Sequence, residues 1–455
     1  MSGVAARAGV SWRWLALLTA VALAVVWRGG YADNARGAVT ALAALAVVGA
    51  LWWVPDAAGR SVRAPVVTAL TAVAAVTAIS AAWTIGEPAD AFGDAISVLA
   101  LAAIVVAAAT LPGPWNHAII LLLTAVGCAW SGIVATLAAL EPYALEICGS
   151  WRPAGPFEYP PALALVCAGA LPVAVAATTT GRRWLSLAGL GTGWLLGLTV
   201  ALTANRTGIA LAALALTSAV ALAPRNRAAG PQALGLIVAV TASTLILRGE
   251  LGDASTGRTV VALVPLVALM AGSSVIASGG GASRRWIAIV AIVALAATVG
   301  GVLADRGGPC GGDRDASHGR TDIWRAGVGT GMERPLTGFG AGTFMIASRD
   351  RQLEYRPRPT AYAHDLPLET WVELGIVGLV AVLAWYAATA QLVLRTIRAA
   401  APERESAWLF APAVVAFPLA NLLDWPWELL GAGALWAVAT GCLIGHRAVG
   451  PASGD

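Results

Sequence analysis

Long apolar runs separated by short polar breaks repeat along the chain from Trp12 to Ile444. Each is roughly 17 to 25 residues long, enough to cross a hydrocarbon core of about 30 Å as a helix. About fourteen runs meet that length, beginning near residues 12, 36, 65, 94, 116, 160, 183, 207, 231, 258, 285, 368, 405 and 427. The first occupies the place of a secretory leader. Trp27, Arg28 and Gly29 stand where a small-residue cleavage site belongs, however, and a second run follows at once, so it is expected to be retained. The pattern predicts an all-α fold, a polytopic integral membrane helix bundle of about 12 to 14 spans.

One polar break is long. Residues 304–367 form a loop of sixty-odd positions, where loops beyond about 15 residues are uncommon without a purpose. It divides the chain into residues 1–303 with about 11 spans, the loop 304–367, and residues 368–455 with about 3 spans. Asp305 to His318 is rich in Gly and Asp and reads as irregular. From Thr321 the spacing of Ile323, Trp324, Val328 and Met332 predicts a helix capped by Thr321 and Asp322 and ended by Pro335. The run Pro335-Leu336-Thr337-Gly338-Phe339-Gly340-Ala341-Gly342 follows, then a second short helix over Thr343 to Leu353. Ala363-His364-Asp365 comes directly before the next span. The glycines lack the following Lys and preceding strand of a phosphate loop, and they predict tight turning or close packing of the loop on the bundle.

Composition removes a soluble reading: the chain is 58% hydrophobic and 12% charged, with a mean hydropathy of +0.74, against the roughly 25% charge of soluble domains. Every basic side chain apart from histidine is Arg, and the formal charge of +4 is scattered between spans, which argues against nucleic acid as a partner. With the amino terminus in the cytoplasm, one set of short loops carries Arg60, Arg63, Arg182, Arg183, Arg225, Arg227, Arg284 and Arg285, as the positive-inside rule requires. The other set holds most of the acids, Glu87, Asp90, Glu141, Glu146 and Asp424 among them, and the long loop then faces outward. Cys128, Cys167 and Cys442 fall inside spans as small apolar residues. Cys148 and Cys310 both fall on the oxidising side, where a disulfide between them would pin the long loop.

A few side chains stand out from this apolar background. His364, an imidazole in a basic loop at the water boundary, is suited to take a proton from a hydroxyl, and a helix-capping role is the alternative. His117, His318 and His446 read as bystanders. Asp365, Glu369 and Glu373 share one face at the start of the next span; the first two suit a helix amino terminus, and Glu373, which lies deeper, is expected to face the bundle interior or a wet cavity and to pair with an Arg. Arg206 in Asn205-Arg206-Thr207-Gly208, Arg320 and Arg325 in the loop, and Arg152 in the Trp151 to Phe157 stretch offer planar cationic forks for phosphate oxygens, with plain snorkelling the alternative for Arg206. No Cys, His or carboxylate spacing suggests a metal, and no cofactor is expected.

The order of four stretches resembles the O-antigen ligase and O-antigen polymerase superfamily of membrane glycosyltransferases. They are Arg152 to Pro161; Asn205-Arg206-Thr207-Gly208; Gly319-Arg320-Thr321-Asp322-Ile323-Trp324 through Pro335 and Gly338-Phe339-Gly340; and His364-Asp365 leading to Glu373-Leu374-Gly375-Ile376-Val377-Gly378. The likeness runs over about residues 150 to 390. Where the family often has Ser-Arg, His-Asn and Pro-Asn, this chain has Asn205-Arg206, His364-Asp365 and Pro160-Pro161.

The resemblance implies a GT-C-like bundle in the cytoplasmic membrane, serving polysaccharide biosynthesis of the cell envelope. A polyprenyl-diphosphate-linked glycan would be the donor, and a glycan, lipid or protein the acceptor. Arg206, Arg320 and Arg152 would hold the diphosphate, and His364 would activate the acceptor hydroxyl, with inversion and without a metal. A polymerase of the same superfamily, a metal-dependent enzyme using Asp33, and a lipid-linked-sugar transporter or flippase remain as rival readings; the last calls for ionisable residues near mid-span.

Overall fold

A computed structural model describes residues 15–31, 33–147, 149–224, 229–250, 319–399 and 403–445. The expected spans near 258 and 285, His318, His446, and the proposed Cys148 to Cys310 pair lie outside these residues. The described residues are helical almost throughout, as the apolar runs predict. The helices are α1 (Leu15–Val26), α2 (Asp33–Trp53), α3 (Pro55–Val62), α4 (Pro65–Ile79), α5 (Pro88–Ala109), α6 (Pro114–Leu137), α7 (Pro160–Thr178), α8 (Arg183–Leu202), α9 (Arg206–Leu222) and α10 (Ala229–Glu250). They continue with α11 (Arg320–Gly331), α12 (Phe344–Tyr355), α13 (Leu366–Arg398), α14 (Glu403–Ala420) and α15 (Leu430–Gly445).

Many starts are written in the sequence by proline. Pro55, Pro65, Pro88, Pro114 and Pro160 each open a helix, a position where the missing N–H costs nothing and φ is already set. Among the described residues seven helices are long and apolar enough to cross a membrane, α2, α4, α5, α6, α7, α8 and α13, and α1, α9, α14 and α15 are shorter apolar helices. Two elements escape the hydropathy pattern. One is α3, a short helix carrying Asp56 and Arg60. The other is an antiparallel hairpin, β1 (Ala144–Ile147) with β2 (Ser150–Pro153), in which Leu145 faces Arg152.

The described residues fall into two compact units. The first contains α1 to α5, α11, α12, most of α13 and the chain from Phe417 through α15. Within it α5 packs on α2, α4 and α15, and a small apolar core of Ile323, Phe339, Phe344, Ala363 and Val372 fixes the loop helices to α13. Trp385, Phe417, Trp427 and Trp436 form an aromatic cluster, with Trp385 5.1 Å from Trp427 and 5.3 Å from Trp436. The second unit contains α6 to α10, the hairpin and most of α14, and has the buried helix α7 against α8 and α9.

The loop helices lie close to their expected places, with two differences. The first starts at Arg320 with Gly319 as its cap in the left-handed region, ahead of Thr321 and Asp322, and ends at Gly331 ahead of Pro335. The second runs to Tyr355. Between them, residues 335–342 pair with a break in α13 at Gly375, whose φ of 64° and ψ of −161° no L side chain adopts readily. The Phe339 N–H donates to the Val372 carbonyl at 3.1 Å and the Gly340 N–H to the Glu373 carbonyl at 2.7 Å, while the Ile376 N–H reaches the Pro335 carbonyl at 2.9 Å. The glycines therefore do serve close approach: a Cβ at Gly338 would meet the Glu373 carbonyl, and one at Gly340 would meet Thr84.

Candidate functional site

The site is built where α11, the turn before α13, and the turn between α14 and α15 converge in the first unit. Asp365 caps α13, its Oδ1 accepting from the Leu368 N–H at 2.8 Å. One turn on, Glu369 reaches back so that its Oε2 accepts from the Ala363 N–H at 2.7 Å. The Ala363 carbonyl accepts from the Trp324 indole at 3.0 Å, which ties α11 to the same peptide. Asn421 fixes the other turn, its carbonyl accepting from the Leu366 N–H at 2.8 Å and its Oδ1 from the Trp427 N–H at 2.7 Å.

These bonds hold His364 at φ 55°, the left-handed region. A non-glycine residue there is strained and persists only where its surroundings over-determine it, a condition met mostly at functional sites. The strained backbone aims the ring at Asp424: His364 Nδ1 lies 3.0 Å from Asp424 Oδ1. A carboxylate accepts, so the proton of this bond sits on Nδ1. The same Oδ1 accepts from the Trp425 N–H at 3.0 Å, and Arg320 Nη2 stands 3.6 Å from Asp424 Oδ2. Asp424 is 3% exposed, His364 19% and Arg320 22%. A carboxylate so buried needs the neighbouring cation to offset its lost hydration.

His364 and Arg320, picked out in sequence forty-odd residues apart, are thus joined through a residue that sequence reasoning passed over. Asp424 figured only as one acid among those between spans. The other candidates lie elsewhere. Arg325 is exposed and stacks over the Tyr355 ring at 5.3 Å. Arg152, on β2, and Arg206, at the first position of α9, belong to the second unit and are part-buried. Asn205 caps α9, its Oδ1 accepting from the Gly208 N–H at 2.6 Å. His117 is buried, with Nδ1 3.0 Å from the Gly113 carbonyl and its ring against Phe410.

Glu373 lies at the break in α13 and fastens the loop to it, its Oε1 accepting from the Phe344 N–H at 2.8 Å, the first N–H of α12. It also lines a cavity of about 50 Å³ in the first unit together with Arg36, Asp94, Glu369 and Glu428. That is room for about three or four waters. Arg36 lies 2.9 Å from Asp94 and 3.9 Å from Glu428. In the turn before α15, burial pushes the Glu428 carboxyl up to about 8, and Asp94 raises it further while Arg36 opposes. Burial likewise holds Asp365 above the usual carboxylate range. Among the described residues no group of three or more His, Cys, Asp or Glu is placed to hold a metal ion.

Helical composition, membrane-length helices and a polar site held by an interrupted helix define an all-α polytopic membrane protein. Residues 191–383 match the family model described as O-antigen ligase, a match that supports the O-antigen ligase superfamily. The matched stretch includes Arg206, Arg320, Arg325, His364 and Glu373, and it leaves Arg152 and Asp424 outside. The match supports an O-antigen ligase or polymerase function in the broad sense, an enzyme of the glycosyltransferase or ligase kind, with the bilayer and glycans as partners. Comparison with the curated proteins gives no match.

Proposed function

We propose that the protein transfers a glycan from a polyprenyl-diphosphate carrier to an acceptor hydroxyl at the extracytoplasmic face of the cytoplasmic membrane. The observation that supports this reading best is the His364, Asp424 and Arg320 cluster. With Nδ1 committed to Asp424, Nε2 is the ring nitrogen left to take the acceptor proton. As that proton moves to Nε2, the acceptor oxygen bonds to the anomeric carbon from the face opposite the leaving group. The bond from that carbon to the phosphate oxygen breaks, and its electron pair goes to the diphosphate. The result is inversion, and the step uses no metal. Asp424 stabilises the imidazolium as it forms, and Arg320, on the far oxygen of Asp424, is assigned to the developing charge on the diphosphate. Arg206, Arg152 and Arg325 are further candidates for anion binding.

The test is transfer by purified protein supplied with a polyprenyl-diphosphate glycan. His364→Ala is expected to lower the rate by about 10² to 10⁴, the usual worth of a general base, and Arg320→Ala and Asp424→Asn to lower it as well. Full activity in His364→Ala and Arg320→Ala sinks the assignment. A chelator is expected to leave the rate unchanged. For sidedness, external labelling of single cysteines at positions 318 and 183 is expected to mark 318 alone; labelling of 183 reverses the topology.

One observation favours a second reading, a lipid-linked-sugar transporter: ionisable side chains on α2, α5 and α13 line the interior cavity. Movement of the lipid-linked glycan across a bilayer without covalent transfer is the result that would select it.

A further inference from the structure

Tyr31, Tyr362 and Trp425 come from distant stretches of the first unit and meet in one cluster. Tyr362 and Trp425 stack with centroids 4.7 Å apart and planes 15° apart. Tyr31 meets Trp425 edge-on at 6.5 Å, and its hydroxyl lies 2.8 Å from that of Tyr362 in an exposed contact. The Arg36 guanidinium stands 5.9 Å from the Tyr31 centroid. Tyr31 is exposed, and the other two rings are half-buried.

The cluster is rooted at the His364 and Asp424 pair. Tyr362 precedes His364 by one intervening residue, Trp425 directly follows Asp424, and the Trp425 N–H shares with His364 the same carboxylate oxygen. At about 3.8 Å between successive Cα atoms, both rings start within about 8 Å of one member of that pair. A hydroxyl delivered to His364 carries its sugar ring into this neighbourhood. Sugar rings present apolar C–H faces and polar rims, and aromatic walls edged with hydroxyls match both. Burial, followed by the nearby Glu428, holds the Tyr362 hydroxyl above the usual tyrosine range. It therefore remains a neutral donor and acceptor at any ordinary pH.

We propose that Tyr31, Tyr362 and Trp425 form a sugar-binding wall that seats a pyranose of the acceptor beside His364. This rests on the reading of His364 as the acceptor's base. Tyr and Trp at a span end also serve as membrane-interface anchors, but that duty calls for neither a stacked pair nor a shared oxygen with the His364 site.

The test uses full-length protein in lipid nanodiscs and the methyl glycosides of glucose, galactose and mannose as probes, read by saturation-transfer NMR. Saturation of the ring C–H protons is expected for at least one probe on wild type and equally on His364→Ala, with loss of most of that signal in Trp425→Ala. Tyr31→Phe, which keeps the ring and removes only a hydroxyl, is expected to lower it by about threefold, the worth of one neutral hydrogen bond, and keeps the test alive should Trp425→Ala misfold. Wild-type signal in both variants, no saturation on wild type, or saturation from nanodisc lipid alone overturns the wall. The transfer assay decides the other reading separately: an inactive His364→Ala with an unaltered Trp425→Ala probe signal rejects the wall and leaves the base in place.

Discussion

Helices α7 and α13 are both apolar and both long enough to cross a membrane, yet they bury their backbones in opposite ways. Helix α7 stays continuous although Pro172 inside it lacks an N–H to donate; 94% of its span is buried, and it is packed by small residues, with Gly189 of α8 against the Ala174 carbonyl and Gly208 of α9 against the Ala164 methyl. Helix α13 breaks at Gly375, and residues 335–342 supply the hydrogen-bond partners that the break removes. A continuous helix inside an apolar bundle asks only that neighbours be small. A broken one asks for a particular second piece of chain, because bare N–H and C=O groups away from water cost several kcal/mol each, a rough figure from transfer data. The break also places Glu369 and Glu373 in a polar cavity beside the His364 turn. The same device that costs α13 its regularity supports the site.

The sharpest way to break this contrast is Gly375→Ala. The new Cβ would strike the Leu336 carbonyl, in a backbone conformation reserved for glycine. The cost is expected to be about 3 kcal/mol or more, seen as loss of monodisperse protein on size exclusion or a collapsed thermal midpoint. No second substitution can relieve it, since the obstacle is main chain. A variant with wild-type melting would show that the loop is not fastened at the break.

A second consequence of the polar cavity is a dependence on pH that α7, whose sequence carries no charged residue, does not share. The Glu428 carboxyl keeps its proton up to about 8 in the folded protein and releases it in the ordinary carboxylate range when unfolded. Folding therefore gains from the neutral form. That gain is whole below the ordinary range and is lost as pH rises through about 8. The thermal midpoint should fall across this window in wild type and flatten in Glu428→Gln, with a difference of several degrees on the alkaline side. Identical slopes in the two proteins would remove Glu428 as the cause.

Gly208→Ala is expected to do less, about 1 to 2 kcal/mol, because the added methyl meets chiefly the Ala164 methyl, with the Asn205 Oδ1 next at 3.2 Å, and Ala is otherwise the better helix former. Here rescue should work: Ala164→Gly in the same chain reopens the space, and a double-mutant cycle on thermal midpoints reads the coupling. Failure of the rescue would mean that α7 and α9 depend on more than size.

Much of this was legible along the chain. Apolar runs gave the helices because length and hydropathy suffice for a segment that bonds to itself, and the prolines marked many starts. His364 and Arg320 stood out as scarce chemistry in a wet loop. The break at Gly375 did not show, since a single glycine in an apolar run reads as a tolerated helix residue; its signature was the glycine run of residues 338–342, noticed without its partner. Asp424 was hidden for a different reason. It stands 60 residues beyond His364, after two helices, and no local period links an acid in a turn to an imidazole in another. Hairpin residues 144–153 were missed because the strands are too short for an alternating pattern to be seen.

The smallest expected effect separates burial from charge pairing. Arg351 places Nε at 3.1 Å and Nη2 at 2.8 Å from one oxygen of Glu333, a closer ion pair than Arg320 makes with Asp424 at 3.6 Å. By distance alone it should matter more. Yet the Arg351 and Glu333 side chains are 42% and 52% exposed, so water already satisfies both charges and the ordering of two long side chains offsets the attraction. Glu333→Gln is therefore expected to leave stability all but unchanged, and any change should vanish in high salt, where exposed pairs are screened. Asp424→Ala, which strands Arg320 and His364 beside a buried gap, should cost about 3 kcal/mol or more under the same conditions. If chemical denaturation of the two variants shows equal losses, proximity outweighs burial in the loop, and the distinction drawn between its docked and its exposed parts fails.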